Sequence, residues 1–413
     1  MEVVYVDNKK SLQEVCLLFR QADVIGVDTE FLREKTYYAQ LCLIQISGNG
    51  LIACIDPLTL DNIDAVLDII YDPDICKIFH SARQDLEVFY DIRKNLPQNI
   101  YDTQVAATFL GHGEQIGYAA LVDAVLGVSL AKTETRTDWS RRPLNDRQRA
   151  YAADDVRYLH SIYQQQRERL QELQRVGWVY EDLRSLSDVG LIDKPKDKLW
   201  QRVKHGQHLQ GISLAVLQSL SIWREDCAIN RDLPRRWVLS DQSLIDLANR
   251  RPSDESEIKN ILSENVSKNS FQVTSTATFV EKNVHSILQC IAAAKKIAPE
   301  RWPKSKGRTD FSAVQLKQIK EIMAIIKEAA TQYNVTAPLI SSRKDIEALV
   351  AGQPNEKLKR GWRYDIVGKH IEALDPVLAS IMQLSSMDVM AEPTPDDYPS
   401  TSIIELDPSV DTQ

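Results

Sequence analysis

Short apolar runs rich in β-branched residues alternate with amphipathic stretches through the first 200 residues. Three of these runs predict strands at Val24–Asp28, Leu41–Ile46 and Leu51–Ile55, and Cys76–His80 predicts a fourth. The turn residues Ser47–Gly50 join the second and third strands as a hairpin. A hairpin followed by strand–helix units implies a mixed sheet that is flanked by helices.

The stretches between and after these strands show helical periodicity. They cover residues 11–21, 62–71, 82–92, 103–110 and 118–126. A longer helical pattern runs from about Asn145 to Gln174, where Leu159, Ile162 and Tyr163 recur at helical spacing. We therefore expect residues 1–200 to form an α/β domain.

The net charge of −8 conceals three segments of different sign. Residues 1–200 have a net charge of −8, residues 201–383 have +7, and residues 384–413 have −7. This distribution indicates separate modules with different partners.

The chain beyond the polar boundary at residues 193–198 is helical in pattern as far as about residue 383. Prolines and a polar segment near residue 303 divide this region into two all-α units, 205–298 and 308–384. The acidic, proline-rich residues 385–413 predict a disordered tail.

Several classes of protein are disfavoured by simple absences in the sequence. No apolar run approaches the ~18 residues that span a bilayer, and the first residues lack the pattern of a secretory signal. The six cysteines include no C-x-x-C pair, which argues against a zinc site or a disulfide framework. We expect a cytoplasmic protein without a membrane partner.

Two carboxylates end the first long predicted strand. Asp28 and Glu30 lie two positions apart, so an extended chain points both to one face. Adjacent carboxylates repel, and a hard divalent ion with oxygen ligands would relieve that conflict. A solvent-exposed pair at a strand end explains the same two residues equally well.

Other polar residues are weak signals when each is taken alone. Asp85 falls in the first turn of a helix, where a carboxylate commonly serves only to stabilise the helix dipole. His80 is more typical of a packed or hydrogen-bonded strand-end histidine than of a ligand. Tyr151 and Asp155 share one helix face, while Asp154 is rotated away from it.

The order of these motifs is more specific than any one of them. It resembles the DEDD exonuclease superfamily in its tyrosine-containing branch, and the surrounding sequence resembles the ribonuclease D family within it. The segments that carry this resemblance are Thr36–Leu41, Leu43–Ile46, Asp102–Gln104, Arg136–Trp139 and Arg142–Leu144. Leu217–Arg224 and Arg231–Pro234 resemble the helicase-and-ribonuclease-D C-terminal (HRDC) module, and residues 308–384 match that module loosely.

The resemblance implies a ribonuclease-H-like fold for the first domain and a metal-dependent site within it. Residue by residue, it implies that two divalent ions, Mg²⁺ or Mn²⁺, are held by Asp28, Glu30, Asp85 and Asp155. Tyr151 would orient the attacking water or help to deprotonate it.

The candidate substrate-binding residues are Phe31, which would contact the terminal base, and His80. A strand-end phenylalanine is more often part of a core, so Phe31 has an ordinary structural interpretation as well.

The implied activity is 3′→5′ exoribonucleolysis that releases nucleoside 5′-monophosphates from tRNA precursors and other small RNAs. Two alternatives stay open from the residues themselves: a DNA-directed 3′→5′ exonuclease, and an inactive RNA-binding scaffold.

Two basic clusters in the helical region also favour RNA contact. Each lies beside a tryptophan, Trp237 in one and Trp362 in the other, although buried tryptophans among solvated charges explain both equally well.

Overall fold

The computed structural model describes residues 1–130, 137–266, 273–305 and 310–383. Arg136 and the tail predicted at 385–413 lie outside the described residues. Among the described helices, none combines the length and the apolar composition that crossing a bilayer requires.

Six strands form one mixed sheet in the part of the chain that the structure describes, with the order β1-β4-β3-β2-β5-β6. The strands are β1 (Glu2–Val6), β2 (Val24–Leu32), β3 (Gln40–Gly48), β4 (Leu51–Ile55), β5 (Cys76–Phe79) and β6 (Ile100–Asp102). β3 pairs antiparallel with β2 and β4, and the other neighbouring strands pair parallel. The predicted mixed sheet and hairpin are confirmed, while the two edge strands, β1 and β6, were not predicted.

The helices of the α/β domain lie close to the predicted positions as far as residue 172, and the two helices that follow were not predicted. They are α1 (Lys9–Phe19), α2 (Asp64–Tyr71), α3 (Arg83–Arg93), α4 (Thr103–Phe109), α5 (Tyr118–Leu126), α6 (Asp146–Arg157), α7 (Leu159–Glu172), α8 (Val176–Leu183) and α9 (Val189–Ile192).

Two groups of helices follow. The first helical unit contains α10 (Gly211–Arg231), α11 (Arg235–Val238), α12 (Asp241–Arg250), α13 (Glu255–Val266) and α14 (Val273–Lys295). The second helical unit contains α15 (Ala313–Gln332), α16 (Ala337–Ile340), α17 (Arg343–Val350), α18 (Gly361–Arg363), α19 (Lys369–Leu374) and α20 (Pro376–Gln383).

The central strand β2 presents different side chains to the two sides of the sheet. Ile25 and Val27 pack with α1, α2 and α3 on one side. Successive side chains of a strand point to opposite faces, so Asp28 and Glu30 face the other side. There α6 packs against β2, β3 and β4. The acidic pair therefore lies between the sheet and α6.

The sequence predicts one continuous helix over Asn145–Gln174. This prediction is wrong, because the helix is interrupted at Tyr158, between α6 and α7. The Tyr118 hydroxyl lies at this break. It donates to the Asp154 carbonyl (3.1 Å) and accepts from the Tyr158 amide (3.2 Å). These are the two groups that an uninterrupted helix would join directly, and a side chain inserted there separates the helices.

The first helical unit contacts the segment that follows β2. The amides of Tyr37 and Tyr38 both donate to the Asp232 carboxylate at 3.0 Å. The Tyr37 hydroxyl donates to Glu225 (2.7 Å) and accepts from Arg235 (2.9 Å). This contact attaches the helical unit within a few residues of Glu30.

The second helical unit packs on α8 through a buried arginine. Arg363 is 1% exposed, and its guanidinium contacts the carboxylates of Glu181 (3.4 Å) and Asp182 (2.8 Å). The rings of Trp178 and Trp362 stack beside it, with centroids 4.5 Å apart. Apolar residues of this unit and of the α/β domain form one continuous core.

Removing the Arg363 guanidinium is expected to destabilise this packing. Arg363→Met leaves two carboxylates without their cation, and breaking a buried ion pair costs about 3–5 kcal/mol. Urea unfolding followed by tryptophan fluorescence measures the loss, because two tryptophans stack at this interface. Arg343→Met is the control: its exposed pair with Glu347 is worth about 0.5 kcal/mol, and equal losses in the two variants would contradict the expectation.

Candidate active site

Three carboxylates converge where β2 meets the C-terminal half of α6. One oxygen from each of Asp28, Glu30 and Asp155 lies within 4.8 Å of the other two. The strand supplies two of these groups from one face, and α6 supplies the third from the helix packed above it. All three residues are half-buried, so the group is open to solvent on one side.

Asp85 approaches the group from the other side of the sheet. It is buried in the first turn of α3, and the Thr29 hydroxyl donates to its carboxylate at 2.5 Å. Thr29 lies between Asp28 and Glu30 in β2 and therefore faces α3. Asp85 does not belong to the group of three that lies within 4.8 Å, but its charge acts on Asp28 and Glu30.

Burial raises the pKa of every carboxyl in this arrangement. It raises the pKa of Glu30 to about 8, with further increases from Asp155 and Asp85. Burial likewise raises the pKa of Asp155 to about 8 and that of Asp85 to about 7. The pKa of Asp28 lies well above its usual range, because of burial and then the charges of Asp85, Asp155 and Glu30.

The four carboxylates offer the type of donor atom that binds a divalent cation. Among the described residues, no ion pair includes any of the four, Asp28, Glu30, Asp85 and Asp155. Hard divalent cations prefer carboxylate oxygens, and a cation would offset the repulsion that raises these pKa values.

Tyr151 lies one helical turn before Asp155 on α6 and is half-buried. Burial and the charges of Asp155, Glu30 and Asp28 raise the pKa of Tyr151 above its usual value, which keeps the phenol protonated. Its ring packs against Trp139, with centroids 6.1 Å apart.

Asp154 lies outside the carboxylate group, as the helical spacing predicts. Its side chain is 41% exposed and pairs with Arg157 at 2.7 Å. Its charge nevertheless contributes to the raised pKa of Asp155.

The two candidate substrate-binding residues have different surroundings. Both ring nitrogens of His80 have protein partners, the Thr103 hydroxyl (2.9 Å) and the Ile116 carbonyl (3.0 Å). Phe31 is half-buried beside Glu30, where the register between β2 and β3 shifts. Such bulges re-aim side chains next to functional sites. A role for either residue in substrate binding stays a prediction.

Some residues that support the carboxylates were not predicted from the sequence. Thr29 was hidden inside the Asp-x-Glu motif, although strand alternation could have placed it on the α3 side. The contacts of the Tyr118 hydroxyl and the pairing of Arg142 with Asp56 could not be predicted, because each joins residues that are distant in the chain. Arg142 itself lies in a segment that carries the family resemblance. Arg142 also donates to the Trp139 carbonyl at 2.7 Å, which supports the ring beside Tyr151.

Comparisons with known proteins agree with this geometry. Residues 3–171 match the family model of a 3′-5′ exonuclease, and residues 213–291 match that of the HRDC domain. Ribonuclease D of Bartonella henselae is 32% identical over 86% of both chains. That of Sphingobium indicum is 35% identical, over 90% of this chain and 94% of the relative.

A solved structure extends the similarity to the whole fold. Escherichia coli ribonuclease D, an exoribonuclease involved in structured RNA processing, is 28% identical and superposes with a TM-score of 0.78. The match covers 91% of this chain and 98% of the other. Fold and site thus define a 3′→5′ exonuclease of the type that needs divalent metal ions. The chain belongs to the ribonuclease D family and is a 3′→5′ exoribonuclease, a phosphodiester hydrolase.

Metal binding is expected to release protons. The raised pKa values mean that the metal-free site holds protons at pH 7, and a carboxyl must lose its proton to bind a cation. The affinity for Mn²⁺ should therefore rise as the pH increases from 6 to 9. Calorimetric titration at pH 7 in two buffers of different ionisation enthalpy counts the protons.

We expect that titration to show that Mn²⁺ binding releases at least one proton for each protein molecule. Asp61→Asn is the control, since Asp61 is exposed and far from the group in sequence, and it should release the same number. Identical heats in both buffers for the wild type would contradict the expectation.

Proposed function

We propose that Asp28, Glu30, Asp85 and Asp155 bind two divalent metal ions, with Mg²⁺ the physiological metal and Mn²⁺ a substitute. The observation that carries this proposal is the convergence of three carboxylates within 4.8 Å, with Asp85 beside them. When bound, such ions lower the pKa of a water molecule and stabilise charge on the leaving 3′ oxygen.

The neighbouring side chains have separate roles in this proposal. Tyr151, protonated because its pKa is raised, donates a hydrogen bond that orients the attacking water. Of the two roles that the family resemblance implied, the orienting role is the one that a protonated phenol can perform as a hydrogen-bond donor. Phe31 contacts the terminal base. His80 forms part of the wall of the substrate-binding site, where its hydrogen bonds to Thr103 and Ile116 hold it.

The proposed substrates are tRNA precursors and other small RNAs, trimmed in the cytoplasm to nucleoside 5′-monophosphates. The chain would divide into an exonuclease domain at 1–200, an HRDC domain at 205–298 and a second HRDC-like unit at 308–384. The first helical unit adjoins the site through Tyr37, which lies six residues beyond Phe31. Substrate bound on that unit would thus be close to the carboxylates.

The two tryptophan clusters differ in what they offer to RNA. Trp362 is 4% exposed and stacks on Trp178, so it is a packing residue. Trp237 is 43% exposed and follows Arg235, which contacts Tyr37. An exposed aromatic ring among basic groups suits stacking on an unpaired base, so the proposed RNA surface is centred on Trp237.

Asp155→Asn is the test of the proposed catalytic site. It removes one charged ligand while preserving the shape of the side chain, so hydrolysis of a 5′-labelled single-stranded RNA in Mg²⁺ should be nearly abolished. Asp154→Asn is the matched control at the adjacent position, and it should retain activity within a few-fold. Loss of activity in the control with an active Asp155→Asn variant would overturn the residue assignment.

A DNA oligonucleotide of the same sequence completes the experiment. The proposed function predicts faster release of 5′-monophosphates from RNA than from DNA, since the 2′-hydroxyl distinguishes the two polymers. Faster cleavage of the DNA would favour the DNA-directed alternative.

Trp237→Ala should weaken RNA binding without changing the fold. Stacking on a base is worth roughly 1–3 kcal/mol, so the affinity for single-stranded RNA should fall at least about fivefold. Fluorescence anisotropy in the Asp155→Asn background measures binding without degradation. Leu17→Ala, at an exposed apolar position on α1, is the control, and equal affinities for the two variants would remove Trp237 from the RNA surface.

A further inference from the structure

Gln45 lies directly beside the carboxylate group in the layer between the sheet and α6. In the register of the sheet, Gln45 lies opposite Asp28 of β2 and opposite Cys54 of β4. Ser47, two residues further along β3, donates its hydroxyl to the Val156 carbonyl of α6 at 2.9 Å. Because residues two apart on a strand share a face, the side chain of Gln45 also points toward α6.

The amide group of Gln45 is buried without a partner. The residue is fully buried, and neither its Nε2 nor its Oε1 has a hydrogen-bond partner among the described residues. Leaving a buried donor or acceptor unpaired costs free energy, whereas an apolar side chain of similar shape avoids that cost. A polar residue at this position therefore needs an explanation other than packing.

Of the two strand neighbours of Gln45, one offers a group that its amide can serve. Directly opposite residues of an antiparallel pair have Cβ atoms about 4.5–5.5 Å apart, a distance that a glutamine side chain spans. On the β4 side Cys54 offers only a thiol, which is a weak partner. On the β2 side Asp28 offers a carboxylate, one oxygen of which faces Glu30 and Asp155.

We propose that Gln45 is a positioning residue whose Nε2–H donates to the Asp28 carboxylate when that carboxylate binds metal. The bond fixes the orientation of Asp28, so that one oxygen is presented to the cation and the other is held by the amide. Partners of this kind orient ligating carboxylates, and their removal typically weakens metal binding by roughly 10–100-fold. This inference rests on the proposed role of Asp28 as a metal ligand.

The test separates metal binding from stability in the full-length protein. Gln45→Leu and Gln45→Met both remove the amide with little change of volume. We expect the Tm of the metal-free variants to equal or exceed that of the wild type, because an unpaired buried amide is gone. The Kd for Mn²⁺ alone, measured by calorimetry, should increase roughly 10–100-fold.

Gln166→Leu is the matched control, because its amide is buried but paired. Its Nε2 donates to the Thr103 carbonyl at 2.9 Å, on a helix that is not part of the carboxylate group. This variant should show the opposite behaviour, with a lower Tm and an unchanged Kd for Mn²⁺.

Two outcomes overturn the inference. If both Gln45 variants bind Mn²⁺ as tightly as the wild type, the amide does not position Asp28. If both variants lose stability as Gln166→Leu does, Gln45 is a structural amide. Failure of the wild type itself to bind Mn²⁺ would instead refute the proposed metal site, so the two failures are distinguishable.

Discussion

The repulsion among four carboxylates is the constraint on which the rest of this structure depends. Asp28, Glu30 and Asp155 converge within 4.8 Å, and burial with mutual repulsion raises their pKa values. The fold holds these charges together by apolar packing elsewhere: α1, α2 and α3 cover one side of the sheet and α6 the other. The energy of that packing offsets the repulsion among the carboxylates.

The position of α6 determines whether the site exists. Its N-terminus is capped reciprocally by Asn145 and Gln148, and its C-terminal half is fixed by the Ser47 hydroxyl on the Val156 carbonyl. The Tyr118 hydroxyl then ends the helix just after Asp155. Each of these contacts limits the freedom of the helix that supplies the third carboxylate.

The two helical units contact the catalytic domain in different ways. Asp232, Glu225 and Arg235 hold Tyr37 in the segment that follows β2. The second helical unit shares a core with the α/β domain around Arg363 and Trp362. The −8 domain and the +7 helical region are therefore in contact through both helical units.

The sequence by itself determined the four inner strands of the sheet, the helices α1 to α5 and the shared face of Asp28 and Glu30, because these follow from local periodicity. Resemblance to a family added Asp85 and Asp155, which no local pattern could connect. Only the tertiary structure decided that Trp362 is buried while Trp237 is exposed, since basic residues precede both in the sequence. It alone also decided the break at Tyr158, because a stretch free of glycine and proline is interrupted by a hydroxyl from 40 residues away.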